Sequence, residues 1–157
     1  MKKIAAVVDS LGPTQSSFYL IKEFNKLLDN IGYSPICFYN NLAPAVVKPF
    51  FTCTNVSFYA THDGCTIADT VEMANLILKT QNSSNKFFYV WDLEWIRKPM
   101  DFAATSRVMR NKNINLLARS ESHKQLIEKY ANREVAGVVD NWNIEQLEKI
   151  LWTPEKS

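Results

Sequence analysis

The sequence predicts an α/β fold: a doubly wound, mostly parallel sheet of about six strands with helices on both faces. Three observations carry that expectation. Several short segments are apolar almost without interruption, as strands buried on both faces are. They alternate with longer segments whose apolar residues recur at helical spacing. The 157 residues fit one domain, 1–157, with no low-complexity tract, internal repeat or linker.

The first strand is "KKIAAVV" at 2–8, a β-branched and alanine run. A loop, "DSLGPTQSS", follows and is broken by Gly12-Pro13. Phe18, Ile21, Phe24, Leu27 and Leu28 then recur as on a helix, with Gly32 as its closing residue. The segment 34–40 is a second strand. Pro44 and Pro49 forbid a long element in 41–49. The third strand, or a hairpin, lies in 50–60, and "THDG" at 61–64 is a turn. The spacing predicts a helix over 66–81, with Ile67, Val71, Ala74, Leu76, Ile77 and Leu78 on its apolar side. Strands at 86–91, 114–120 and 134–140 alternate with helices at 100–111, 121–131 and 143–152. Leu126, Ile127 and Tyr130 are expected to face inward, and Asn143 with Gln146 forms a capping-box pattern. Right-handed crossovers between such strands give a Rossmann-like domain.

Composition limits the function classes. Apolar content of 46% and charged content of 22% belong to an ordinary globular chain. A net charge of +2, with no long basic block, argues against a nucleic-acid partner. No apolar run approaches the ~20 residues of a membrane span. The opening run is interrupted by Asp9, short of a secretory leader. No membrane partner and a cytoplasmic location are therefore expected. Cys37, Cys53 and Cys65 lack the close spacing of a zinc site or a disulfide framework. No metal and no cofactor are expected.

In a sheet of this kind ligands bind outside the carboxyl ends of the strands, where strand order reverses. The segments 9–16, 61–64, 91–95, 119–123 and 140–143 are expected to converge there. The first has one glycine, Gly12, and Pro13 removes a donor, so it is no standard phosphate fingerprint. Ser10, Gly12, Thr14 and Gln15 still form a candidate ligand loop, unless Thr14 or Ser16 simply caps the helix. Ser120 and Glu121 offer the same choice between a cap and a ligand contact.

The stretch "FFYVWDLEWIRKP" places Asp92 and Glu94 among Trp91, Leu93 and Trp95. On a continuing strand both carboxylates would share one face. Paired carboxylates divide acid and base work when their surroundings separate their pKa values. Asp92 is the first candidate base and His62 the second. Glu94 is a candidate ligand contact, and Trp91 or Trp95 would pack on a ring. The competing account has Trp91 in the core and Asp92 opening a solvated loop.

Together "FFYVWDLEWIR", "ARSESHKQLIE" and "NIEQLEKI", with the opening "KKIAAVVDSLGPTQSSFYLIKEFNKLL", resemble the N-terminal half of GT-B glycosyltransferases. They are also similar to the small glycosyltransferase-like proteins of tailed bacteriophages of marine bacteria. That resemblance implies a sugar or nucleotide-sugar ligand at the strand carboxyl edge and a glycosyl-transfer reaction. A GT-B enzyme reacts between two such domains. The resemblance therefore implies an acceptor-side half, with a homo-oligomer or a partner chain completing the cleft. The alternative is a non-catalytic nucleotide-binding or protein-interaction module, docking through Pro44, Val46, Val47, Phe50 and Phe51.

Overall fold

The computed structural model describes residues 1–97 and 99–153. Seven parallel strands form one sheet in the order β3-β2-β1-β4-β5-β6-β7. The strands are β1 (Lys2–Val8), β2 (Tyr33–Tyr39), β3 (Thr52–Asn55), β4 (Cys65–Ala68), β5 (Asn85–Val90), β6 (Asn115–Ala118) and β7 (Gly137–Val138). The helices are α1 (Gln15–Leu27), α2 (Val71–Lys79), α3 (Glu94–Arg97), α4 (Phe102–Met109), α5 (Glu121–Ala131) and α6 (Ile144–Leu151). This is the doubly wound, Rossmann-like arrangement expected.

Side-chain alternation along the strands feeds two apolar layers. Ile4, Ala6 and Val8 of β1 and Phe87 and Tyr89 of β5 pack under α1 and α6 with Leu20, Phe24 and Leu147. Ala5, Val7, Phe88 and Val90 face the other way, onto Met73, Ile77, Met109 and Ile127 of α2, α4 and α5. The central strands are covered on both sides, which is why they read as unbroken apolar runs.

Several local expectations are corrected. The segment 66–81 is not one helix. Residues Cys65–Ala68 form β4, inserted between β1 and β5. The helix starts at Val71, capped by Thr70, whose hydroxyl accepts from Met73 N at 3.2 Å. The third strand ends at Asn55, and a 3-10 helix, Val56–Thr61, carries the chain back across the sheet. α1 ends at Leu27 through an αR residue, Leu28, rather than at Gly32. Phe18 and Leu126, expected inside, are exposed, because each lies just off its helix's buried stripe. Asn143 does cap α6, accepting from Gln146 N at 3.0 Å; Gln146 Oε1 instead accepts from Asp140 N at 2.7 Å.

Sheet order reverses between β1 and β4. From β1 the chain winds outward to β2 and β3; from β4 it winds the opposite way to β7. The loops after β1 and β4 therefore part from each other and leave a crevice at their carboxyl ends.

Candidate functional site

Two adjoining recesses open at this crevice, of about 420 and 430 Å³. Both volumes fall within the range of roughly 300–1,000 Å³ typical of small-ligand sites. Asp9, the first residue after β1, and Thr70, the N-cap of α2, line both.

The loop after β1 is held by its own polar groups. Thr14 caps α1, its hydroxyl oxygen accepting from Ser17 N at 3.1 Å. Ser17 Oγ donates to the Ser10 carbonyl at 3.1 Å, and Gly12 N donates to Ser10 Oγ at 3.2 Å. Asp9 Oδ1 accepts from the side-chain amide of Asn41 at 2.9 Å and from that of Asn40 at 3.4 Å. Ser10, Thr14 and Gln15 line the smaller recess. Gly12 is buried and lines neither recess; a Cβ there would press on Ala43 and Ser10.

The loop after β4 contributes Asp69, which the sequence did not single out. Ser16 Oγ donates to Asp69 Oδ2 at 2.8 Å, and the Trp142 indole N–H donates to Ser16 Oγ at 3.1 Å. Asp69 Oδ1 is shut off from solvent and accepts no hydrogen bond among the described residues. The carboxyl is pushed up to about 6, chiefly by burial, with the charges of Glu94 and Asp9 adding to the rise and the Ser16 hydrogen bond opposing it. Residual solvent contact at Asp69 belongs to the rest of the residue, not to Oδ1.

A pattern in the chain marks this position. β1 ends "VVDS" and β4 ends "IADT": an apolar run, an aspartate, then a hydroxyl residue. Asp9 and Asp69 each directly follow the last residue of one of the two strands that flank the reversal. Reading β4 as the start of a helix hid the parallel.

Of the stretch Phe87 to Pro99, β5 takes the apolar part and stops at Val90. Trp91 is buried, with the Arg119 guanidinium 3.8 Å from its ring centroid and Tyr89 edge-on at 5.6 Å. Trp95 stacks on Tyr130 at 4.2 Å. Trp91 lines the smaller recess, and Trp95 lines neither recess. Asp92 and Glu94 do not share a strand face. Asp92 lines the smaller recess and pairs with Arg97 at 3.0 Å. Glu94 begins α3, and its Oε2 accepts from Val71 N at 2.8 Å, capping α2 across the larger recess.

His62 is on the other edge of the sheet. The turn 61–64 precedes β4, because the 3-10 helix before it returns the chain to the amino ends. The ring packs against Phe38 and Tyr59, with Nε2 3.2 Å from the Cys65 carbonyl. Burial lowers its pKa. The structure does not bring His62 and Asp92 together. Ser120 and Glu121 line neither recess; Ser120 caps α5, accepting from His123 N at 3.2 Å. Of the proposed docking residues, Val46, Phe50 and Pro44 are exposed, whereas Phe51 is buried in the core and Val47 packs against it.

No group of three or more His, Cys, Asp or Glu side chains among the described residues is arranged to hold a metal. No described helix is long and apolar enough to cross a membrane. Comparison with family models, with curated proteins and with solved structures finds no match to this chain.

Proposed function

We propose that this chain is a glycosyltransferase-like domain that binds a sugar in the crevice between the β1 and β4 loops. The observation that carries this is the polar lining of the smaller recess, where Asp9, Thr14, Gln15, Asp69 and Asp92 meet the amino end of α1. A sugar hydroxyl both donates and accepts. Carboxylates of the lining take the donated hydrogen. The Gln15 and Ser16 N–H groups, which have no partner within the helix, supply hydrogens to the oxygen. Asp9, Thr14 and Gln15 extend the same mixture of donors and acceptors along the recess wall.

The lining favours the sugar over the diphosphate of an activated donor. Among the described residues no lysine or arginine lines the smaller recess, and three aspartates do. Like charge repels a phosphate in such a place. The chain then corresponds to an acceptor-side half, and a partner chain or a second copy would bring the donor. In the transfer step a carboxylate takes the proton of the acceptor hydroxyl. The oxygen forms a bond to the anomeric carbon of the donor, and the nucleoside diphosphate leaves with the electrons of the broken bond.

Amide NMR titration of the labelled protein with a panel of monosaccharides and nucleotide sugars tests this. Shifts should concentrate on residues 9–17 and 69–72 and saturate with at least one sugar. Flat titrations across the whole panel would overturn the proposal.

A further inference from the structure

The larger recess opens between α2 and α4. Its walls divide by chemistry. Val71, Ala104 and Val108 give it an apolar side, and Asn75, Thr105 and Arg107 give it hydrogen-bond donors. Thr105 is only 1% exposed yet lines the recess, and its hydroxyl makes no hydrogen bond to any described residue. Buried polar groups are normally hydrogen-bonded, so a hydroxyl left over at a cavity wall is a contact available to a ligand. Among the described residues the Asn75 amide and the Arg107 guanidinium have no hydrogen bond or ion pair either.

Asp9 and Thr70 form a wall common to both recesses, so a ligand seated in one can extend into the other. A single sugar in the smaller recess reaches none of Asn75, Thr105 and Arg107, which line only the larger one. The next ring of a saccharide chain matches what they offer. Its C–H faces suit the apolar side, and its hydroxyls suit a few placed polar groups, the usual composition of a small-ligand site. Charge narrows the class. Glu72, Glu94 and Asp101 line the larger recess against one described cation, Arg107. A uronic acid or a phosphorylated sugar would meet a surplus of like charge there.

We propose that the ligand of this crevice is a neutral oligosaccharide of two or more units, with one ring in the smaller recess and the next between α2 and α4. The proposal rests on the sugar-site reading above and extends it from a single sugar to a chain.

The test compares monosaccharides with disaccharides by amide NMR titration of the labelled protein. The probes are glucose, galactose and N-acetylglucosamine beside cellobiose, maltose, lactose and N,N′-diacetylchitobiose, with UDP-glucose as the donor control. At least one disaccharide should bind about tenfold or more tightly than its constituent monosaccharides. It should shift amides of 71–75 and 104–108 as well as those of 9–17. Equal affinity for single sugars and disaccharides, or disaccharide shifts confined to 9–17 and 69–72, overturns the inference while leaving the sugar site standing. Shifts at 104–108 produced by UDP-glucose and by no disaccharide overturn it too, and give the larger recess to the donor. Absence of binding by every sugar overturns both readings. The double variant Asn75→Ala, Arg107→Ala should lose the disaccharide's advantage, and a folded variant that keeps it overturns the second subsite. The shift map of the unaltered protein decides even if that variant does not fold.

Discussion

Asp69 is held by a short relay of polar groups: the Trp142 indole donates to Ser16, and Ser16 donates to Asp69. Burial and the neighbouring acids keep its carboxyl at about 6 rather than 3.8. The sign of the consequence follows from proton linkage. A carboxyl whose pKa is higher in the folded state binds its proton more tightly there. Its contribution to stability is fully present below the unfolded value and is lost as pH rises through the folded one. The cost therefore grows between about pH 4 and pH 6 and stays constant above, reaching at most about 3 kcal/mol. Asp69→Asn keeps an acceptor for Ser16 and removes the charge. Thermal unfolding across pH should show this variant more stable than the parent at neutral pH, with the gap closing towards pH 4. A pH-independent gap would contradict the raised pKa.

At the scale of elements, close approaches decide where substitution is tolerated. Gly64 leads into β4, where a Cβ would overlap the Lys3 carbonyl and side chain of the neighbouring strand. Backbone cannot move aside without disturbing the β1–β4 pairing that positions Asp9 and Asp69. Gly137 in β7 faces α6, where a Cβ would overlap the terminal methyl of Ile150. That side chain can rotate away. Gly64→Ala should cost about 3 kcal/mol and Gly137→Ala about 1 kcal/mol. Urea denaturation measures both, and equal costs would contradict the distinction between rigid and yielding neighbours. α1 is tied to α6 through Glu23, which is buried and accepts from Ile144 N at 3.1 Å. With the Trp142–Ser16 bond, this fixes the amino end of α1 against the far side of the sheet. Trp142 reaches that place through two successive left-handed residues, Asn141 with φ 44° and Trp142 with φ 61°. Such conformations cost energy in residues with a Cβ. Burying the largest side chain in the protein, hydrogen-bonded, offsets that cost.

At the scale of the whole molecule, one sheet separates two apolar layers, and β1, β5 and β6 contribute to both. Neither layer has a wall of its own, so the two should melt together. Tryptophan fluorescence reports Trp91, Trp142 and Trp152 at the first layer and Trp95 at the second. Far-ultraviolet circular dichroism reports helices of both layers. The two probes should give one urea midpoint, and separated midpoints would contradict a single cooperative unit. The same architecture places the crevice on the line where winding reverses. Asp9 and Asp69 end adjacent strands there, and α1 and α2 leave to opposite faces.

The sequence by itself determined the class of the fold, because period and apolar content are local properties. Val7, Val8, Phe88 and Leu117 are buried on whichever strand they occupy, and helix caps at Thr14, Ser120 and Asn143 depend on residues three positions away. It also placed Ser10, Thr14, Gln15, Trp91 and Asp92 at the carboxyl edge of the sheet. Only the tertiary structure decided the rest. β4 is four residues long, and its apolar residues match the helix beside it equally well. Pairing with β1 and β5 makes it a strand, and pairing is not a property of the segment. From that one strand follow the reversal of winding, the removal of His62 to the far edge, and the burial of Asp69 at the crevice. Asp92 and Glu94 likewise look alike along the chain. Contacts with Arg97 and with α2 give them separate tasks, because partners distant in sequence set the surroundings of a charge.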